Sequence, residues 1–122
     1  MYPFFSPLGG RSSRDMLNDQ IQQLKNKYGS RFNKFRISET GWPTAGGNSP
    51  QGNPSNMQKA KEYADYFAGM LCSGHFNMPW VSYFTFFDPT YKKNAAEFER
   101  NFGIVRYDNG YKAKWNIGNL HC

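Results

Sequence analysis

The order of extended and helical segments along these 122 residues predicts an α/β fold. Two stretches each draw one apolar stripe at helical spacing: Leu17, Ile21, Leu24 and Tyr28, then Ala60, Ala64, Phe67 and Leu71. Around them lie three runs with strand chemistry: Tyr2 to Phe5, Lys34 to Glu39, and Trp80 to Asp88. Strand, helix, strand, helix, strand is the alternation that builds a parallel sheet with right-handed crossovers. The length sets one domain as the upper bound.

Tyr2-Pro3-Phe4-Phe5 reads as the end of a strand, with Ser6-Pro7-Leu8-Gly9-Gly10 as the loop that leaves it. In the first helix, Ser12 or Ser13 supplies the N-cap. Asp15 lies in the first turn, where the helix dipole favours an anion, and Gly29 closes the C-terminus. Alternation along Lys34 to Glu39 puts Phe35, Ile37 and Glu39 on one face and Lys34, Arg36 and Ser38 on the other. Arg36 fits a helix-covered face only by reaching to the rim.

Gly41 permits a sharp turn, and Pro43 forbids a further ladder and biases Trp42 away from helical geometry. Glu39 therefore stands where a strand ends and a loop begins. The loop Thr44 to Asn53 is rich in Gly, Asn, Ser and Pro and lies beside that end. A second helix starts near Pro54-Ser55 and stops at Gly74. His75 follows as a connector, since no His or Cys stands at metal-ligand spacing from it. The run Trp80 to Asp88 is aromatic and β-branched almost throughout, as in a parallel strand buried on both faces. Asp108-Asn109-Gly110 reads as a turn, and Trp115 as an anchor for the tail.

The formal charge of +6 raises an anionic partner, but Lys and Arg are spread through every segment without a nucleic-acid-binding pattern. They read as solvated surface. Aromatic residues make up 18% of the chain, and such rings either stack on sugars or fill cores. No stretch is long and apolar enough to span a membrane. Cys72 and Cys122 could form one bridge, or Cys72 could be a buried thiol. Asn53-Pro54-Ser55 is no glycosylation acceptor, because the central Pro blocks it.

Glu39-Thr40-Gly41-Trp42-Pro43 resembles the Glu-Ser/Thr-Gly-Trp-Pro signature of family 17 glycoside hydrolases, the endo-β-1,3-glucanases and related wall transglycosylases. Two further stretches resemble the family in order. Tyr2-Pro3-Phe4 matches its strand-six ending, and Glu99-Arg100-Asn101-Phe102-Gly103-Ile104-Val105 is similar to its Glu-Arg-Asn-Tyr-Gly-Leu-Phe. The resemblance implies a TIM (β/α)8 barrel. Residues 1–122 would form a partial barrel domain, about strands 6 to 8, with the N-terminal strands absent. It implies that Glu39 is the nucleophile at the end of strand seven. Tyr2, Trp42 and Phe87 are then candidates for sugar-facing rings, and Asp88, Lys92 and Glu99 for polar contacts to substrate. Pro89 departs from the family's acidic residue at that place, while Lys92 matches. Glu99 is either a substrate-side carboxylate or a salt-bridged structural one.

The implied activity is retaining hydrolysis of O-glycosyl bonds in neutral β-1,3-glucan polysaccharides, with no cofactor, no nucleic acid and no membrane span. The implied location is secreted, at the cell wall. Since Met1 is not followed by a signal peptide, the N-terminus of such a protein would lie upstream. Retaining chemistry needs a second carboxyl group about 5 Å from the first. The family's acid belongs to strand four, and Glu97 and Glu99 are the substitutes at hand. The chain alone is therefore expected to be inactive, with an N-terminal barrel part as its partner. The alternative is a non-catalytic glucan-binding or decoy module.

Overall fold

A computed structural model describes residues 1–7, 9–74, 81–106 and 110–118. Helix α1 spans Ser13–Tyr28. Ser12 caps it: its hydroxyl oxygen accepts from the Asp15 amide at 3.1 Å, while the Asp15 carboxylate accepts from the Ser12 hydroxyl at 2.7 Å. With the Ser12 amide also donating to Asp15 Oδ2 at 3.3 Å, this reciprocal cap satisfies two amides at the start of the helix. Leu17 and Ile21 are buried, Leu24 is partly buried against the core, and Tyr28 is 37% exposed, so the predicted stripe fades toward its C-terminal end.

Gly29 closes α1 at φ +50°, and the chain continues as a tight 3-10 turn over Gly29–Lys34. The strand expected from Lys34 is shortened accordingly: β1 covers Ile37–Thr40. Arg36 stays outside the ladder, its guanidinium donating to the carbonyls of Asn33 (3.0 Å) and Phe35 (2.6 Å). That bonding closes the turn and removes the conflict of a charged side chain facing a helix layer.

β1 pairs in parallel with β2, Val81–Tyr83, through Ile37 with Val81 and Thr40 with Tyr83. β1 uses one more residue than β2 between these pairs, so the strict alternation fails. Ile37 and Thr40 are buried, whereas Ser38 and Glu39 are both exposed. Thr40 is held inward by a 2.6 Å bond between its hydroxyl and that of Tyr63. Immediately afterwards the backbone meets β2's continuation so closely that a Cβ at Gly41 would collide with the Phe84 carbonyl oxygen. Only glycine fits there.

Helix α2, Met57–Cys72, makes the crossover between the two strands. It starts later than Pro54-Ser55, because Asn56 is the cap, accepting from the Lys59 amide at 2.8 Å. Ala60, Ala64 and Phe67 are buried as expected, and Tyr63 and Met70 join them.

Two strand expectations are corrected. Residues Pro3–Phe5 form a 3-10 turn and not a strand. Pro3, with fixed φ and no amide hydrogen, suits the first position of a turn, and extended geometry is confined to the flanking Tyr2 and Ser6. The second correction concerns the run Trp80 to Asp88, whose first residue lies outside the described ones. Its regular part is only Val81–Tyr83, and it is not buried on both faces: Ser82 is exposed and Phe86 is 54% exposed. Among the described residues the sheet has two strands, so no neighbouring strand runs beside β2 opposite β1. The core instead gathers Phe4, Leu17, Ile21, Trp42, Tyr63, Phe67 and Phe102 between the two helices and the sheet. Each large apolar side chain so buried contributes about 1.5–3 kcal/mol.

Candidate functional site

Glu39 emerges from the irregular end of β1 with its side chain exposed. Its Oε2 accepts a hydrogen bond from the Tyr2 hydroxyl at 3.0 Å, and its backbone carbonyl accepts from the Met1 amino group at 2.8 Å. Around the carboxylate is a cavity of about 320 Å³ lined by Tyr2, Phe5, Glu39, Phe84, Tyr91, Lys92, Glu99 and Phe102. Four candidates from the sequence, Tyr2, Glu39, Lys92 and Glu99, thus meet in one place although they span almost a hundred positions.

The electrostatics of the cavity are divided. Burial, then the bond to Glu39 and the charges of Glu39 and Glu99, push the Tyr2 phenol far above its ordinary range. Tyr2 therefore remains a protonated donor toward Glu39. Lys92 does not contact Glu39 directly. Its Nζ donates to Glu99 Oε2 at 3.0 Å and lies 5.2 Å from the centre of the Phe84 ring. The Lys92 ammonium pairs with Glu99, whereas the Glu39 carboxylate accepts from a neutral phenol and has the Met1 ammonium nearby, so the two carboxylates of the cavity have different partners.

The other candidates stand elsewhere. Trp42 is 1% exposed and packs edge-on against Phe4 at 5.2 Å, with its indole nitrogen donating to the Pro54 carbonyl at 3.1 Å. It is a core residue, and the expectation of a sugar-facing ring is corrected. The apolar ring is worth more in the core, and its one polar atom finds a partner there. Asp88 is also turned away. Its Oδ1 accepts from the Gly103 amide at 2.9 Å and from Lys114 Nζ at 2.7 Å, beside a separate cavity of about 490 Å³ that Glu97 also lines. Phe87 lies outside the Glu39 cavity, edge-on to Phe86 at 4.8 Å and to Tyr111 at 5.5 Å.

Sequence reasoning missed Phe5, Phe84, Tyr91 and Phe102 as cavity walls. Period-two alternation could have found Phe84. Tyr83 packs toward Tyr63 and Phe67, at 6.4 and 6.0 Å, so the next residue faces the other way. Phe102 carries no such signal, since the turns around it are irregular. Cys72 is disulfide-bonded, and the chain's other cysteine, Cys122, lies outside the described residues.

Residues 8–117 match the family model described as Glycosyl hydrolases family 17. A comparison with curated proteins yields no match. Two solved structures are similar, both from Rhizomucor miehei. One is a glycoside hydrolase family 17 β-1,3-glucanosyltransferase, with 25% sequence identity and a TM-score of 0.66. The other is an active-site mutant of a β-1,3-glucanosyltransferase in complex with laminaritriose, with 25% identity and a TM-score of 0.62. Each likeness covers 92% of this chain and 39% of the other.

Proposed function

The chain belongs to glycosyl hydrolase family 17, and from that premise we propose that Glu39 is the nucleophile of a retaining reaction on β-1,3-glucans. The neighbours imply a TIM-barrel family, and this chain spans 39% of their length. We read it as the C-terminal portion of such a barrel, about strands 6 to 8, residues 1–122 being one partial domain. The observation that carries the reading is the carboxylate of Glu39 at a strand end, facing a cavity and held by a phenol that stays protonated.

In the proposed reaction the Glu39 carboxylate attacks the anomeric carbon. A carbon–oxygen ester bond forms as the glycosidic bond breaks, and the departing oxygen takes a proton from a second carboxyl group. Water, or a sugar hydroxyl in transfer, then attacks the same carbon, gives its proton back to the second group and releases Glu39. Tyr2 orients the nucleophile through its 3.0 Å bond. Glu99 is poorly suited as the acid, because its Oε2 is already engaged by the Lys92 ammonium at 3.0 Å. We therefore propose that the acid comes from strands outside this chain and that residues 1–122 alone turn over no glucan. We propose a secreted location, as the family resemblance implies, with which a disulfide at Cys72 agrees.

The test is release of reducing sugar from laminarin by the chain together with a separately expressed N-terminal barrel part, with and without Glu39→Gln. The substitution should lower turnover by several orders of magnitude and leave glucan binding within a few-fold. Comparable turnover by the variant would refute the assignment. A second reading, a glucan-binding module without catalysis, is favoured by the pairing of Glu99 with Lys92. It predicts laminarin binding by residues 1–122 and no turnover in any combination.

A further inference from the structure

The ion pair of Lys114 with Asp88 lies outside the Glu39 cavity, yet its bonds lead back to it. The Lys114 side chain is only 4% exposed and that of Asp88 14%. Lys114 Nζ donates to Asp88 Oδ1 and to Thr44 Oγ1, both at 2.7 Å. Each of these two partners then fixes one neighbour of Phe102. Asp88 Oδ1 also accepts from the Gly103 amide at 2.9 Å, and the approach is so close that a Cβ on Gly103 would collide with the Asp88 backbone nitrogen. Thr44 donates to the Asn101 carbonyl twice, from its amide at 2.8 Å and from its hydroxyl at 2.9 Å. Phe102, held on both sides, is 2% exposed, lines the Glu39 cavity, and meets the Tyr2 ring edge-on at 5.6 Å. Tyr2 in turn holds the Glu39 carboxylate.

Resting on the reading of Glu39 as the reacting carboxylate, we propose that Lys114 is a positioning residue for it. Lys114 locks the two flanks of Phe102, and the Phe102 ring sets where Tyr2 presents its hydroxyl. The device needs a charge. A neutral side chain at position 114 cannot hold Asp88 and Thr44 together while satisfying a carboxylate that is largely shielded from water. It also needs no contact between Lys114 and a substrate, since the coupling passes through packed rings and backbone bonds that the structure shows to be continuous.

The test reads ring-to-ring nuclear Overhauser cross-peaks in the chain labelled with 13C at Tyr and Phe. The pair Tyr2 and Phe102 reports the positioning. The pair Tyr63 and Phe67, stacked at 6.5 Å within α2, reports whether the fold is intact. In Lys114→Met the first set should weaken by about threefold or more, as for a ring displaced by about 1 Å, a misplacement large enough to matter at a reacting group. The second set should persist. Thr44→Val, which leaves no buried charge unpaired, should weaken the first set less and keep the second. If Lys114→Met loses both sets together, Thr44→Val decides. Unchanged Tyr2–Phe102 cross-peaks in a folded variant overturn the proposal, and so does joint loss of both sets in both variants. Turnover by Glu39→Gln bears on the nucleophile alone, so failure of that reading and failure of this one are separate results.

Discussion

Two lysine–carboxylate pairs flank the segment 97–102, and they differ mainly in how much water reaches them. Lys92–Glu99 spans 3.0 Å at side-chain exposures of 31% and 27%, on the Glu39 side. Lys114–Asp88 spans 2.7 Å at 4% and 14%, on the other. The open pair is screened and can exchange partners, which suits groups that must meet a ligand. The closed pair is fixed by further bonds to Thr44 and Gly103, which suits a strut. The same two functional groups serve one role or the other according to burial and to how many neighbours each oxygen has.

The sharpest way to break this comparison is at the closed pair. Lys114→Met leaves the Asp88 carboxylate, 14% exposed, without its ammonium, a change that approaches the cost of a broken, fully buried pair, about 3–5 kcal/mol. Replacing both, as Lys114→Met with Asp88→Leu, removes the stranded charge and should recover most of that loss, though not the bond to the Gly103 amide. Urea denaturation of the wild type, the single and the double variant measures both quantities. A double variant no more stable than the single one would mean that the pair is not the strut described.

At the open pair the effects should be smaller. Lys92→Met should change stability by no more than about 1 kcal/mol, since a partly exposed ion pair contributes little. Its consequence should appear in the cavity, where Glu99 loses its counter-charge and, on the proposed reading, a β-1,3-glucan oligosaccharide would meet one more uncompensated carboxylate. Calorimetric titration with laminaritriose against the wild type and Lys92→Met should show weaker binding in the variant. Equal stability loss at Lys92 and Lys114 would erase the distinction between the pairs.

What the sequence made legible follows the same division. Both helices announced themselves, because a stripe such as Leu17, Ile21 and Leu24 and a cap such as Ser12 with Asp15 are set by residues close in the chain. The parallel pairing of β1 and β2 across α2 was legible from their alternation, and Glu39 from Gly41 and Pro43 after it. Resemblance to a family added Lys92 and Glu99, and the family assignment itself stands. Trp42 was misread because a large ring beside a turn looks alike whether it faces sugar or core. The choice is made by Phe4 and Tyr63, which lie far off in sequence. The Lys114 network was invisible for a stronger reason. Its members sit at 44, 88, 101, 103 and 114, in loops with no period to betray which side chains meet.

The mildest prediction extends the comparison to groups that water surrounds entirely. Asp15 bonds the Ser12 hydroxyl and amide at the start of α1, and these bonds, the hydroxyl first, hold its carboxyl below the ordinary carboxylate range. A depressed folded-state pKa means that the ionised form is the one the fold favours. Its contribution is then fully present above the unfolded-chain value of about 4 and is lost as the pH falls through the lower folded value. Asp15→Asn should therefore lower the urea midpoint slightly at pH 6, and the difference from wild type should shrink as the pH falls below the unfolded-chain value. Added salt should shrink the charge-dependent part of that difference, because nothing shields an exposed cap from counter-ions. Salt should leave the Lys114–Asp88 difference nearly unchanged. If both respond alike, burial is not what separates these pairs, and the strut on the far side of Phe102 would have to be explained by geometry alone.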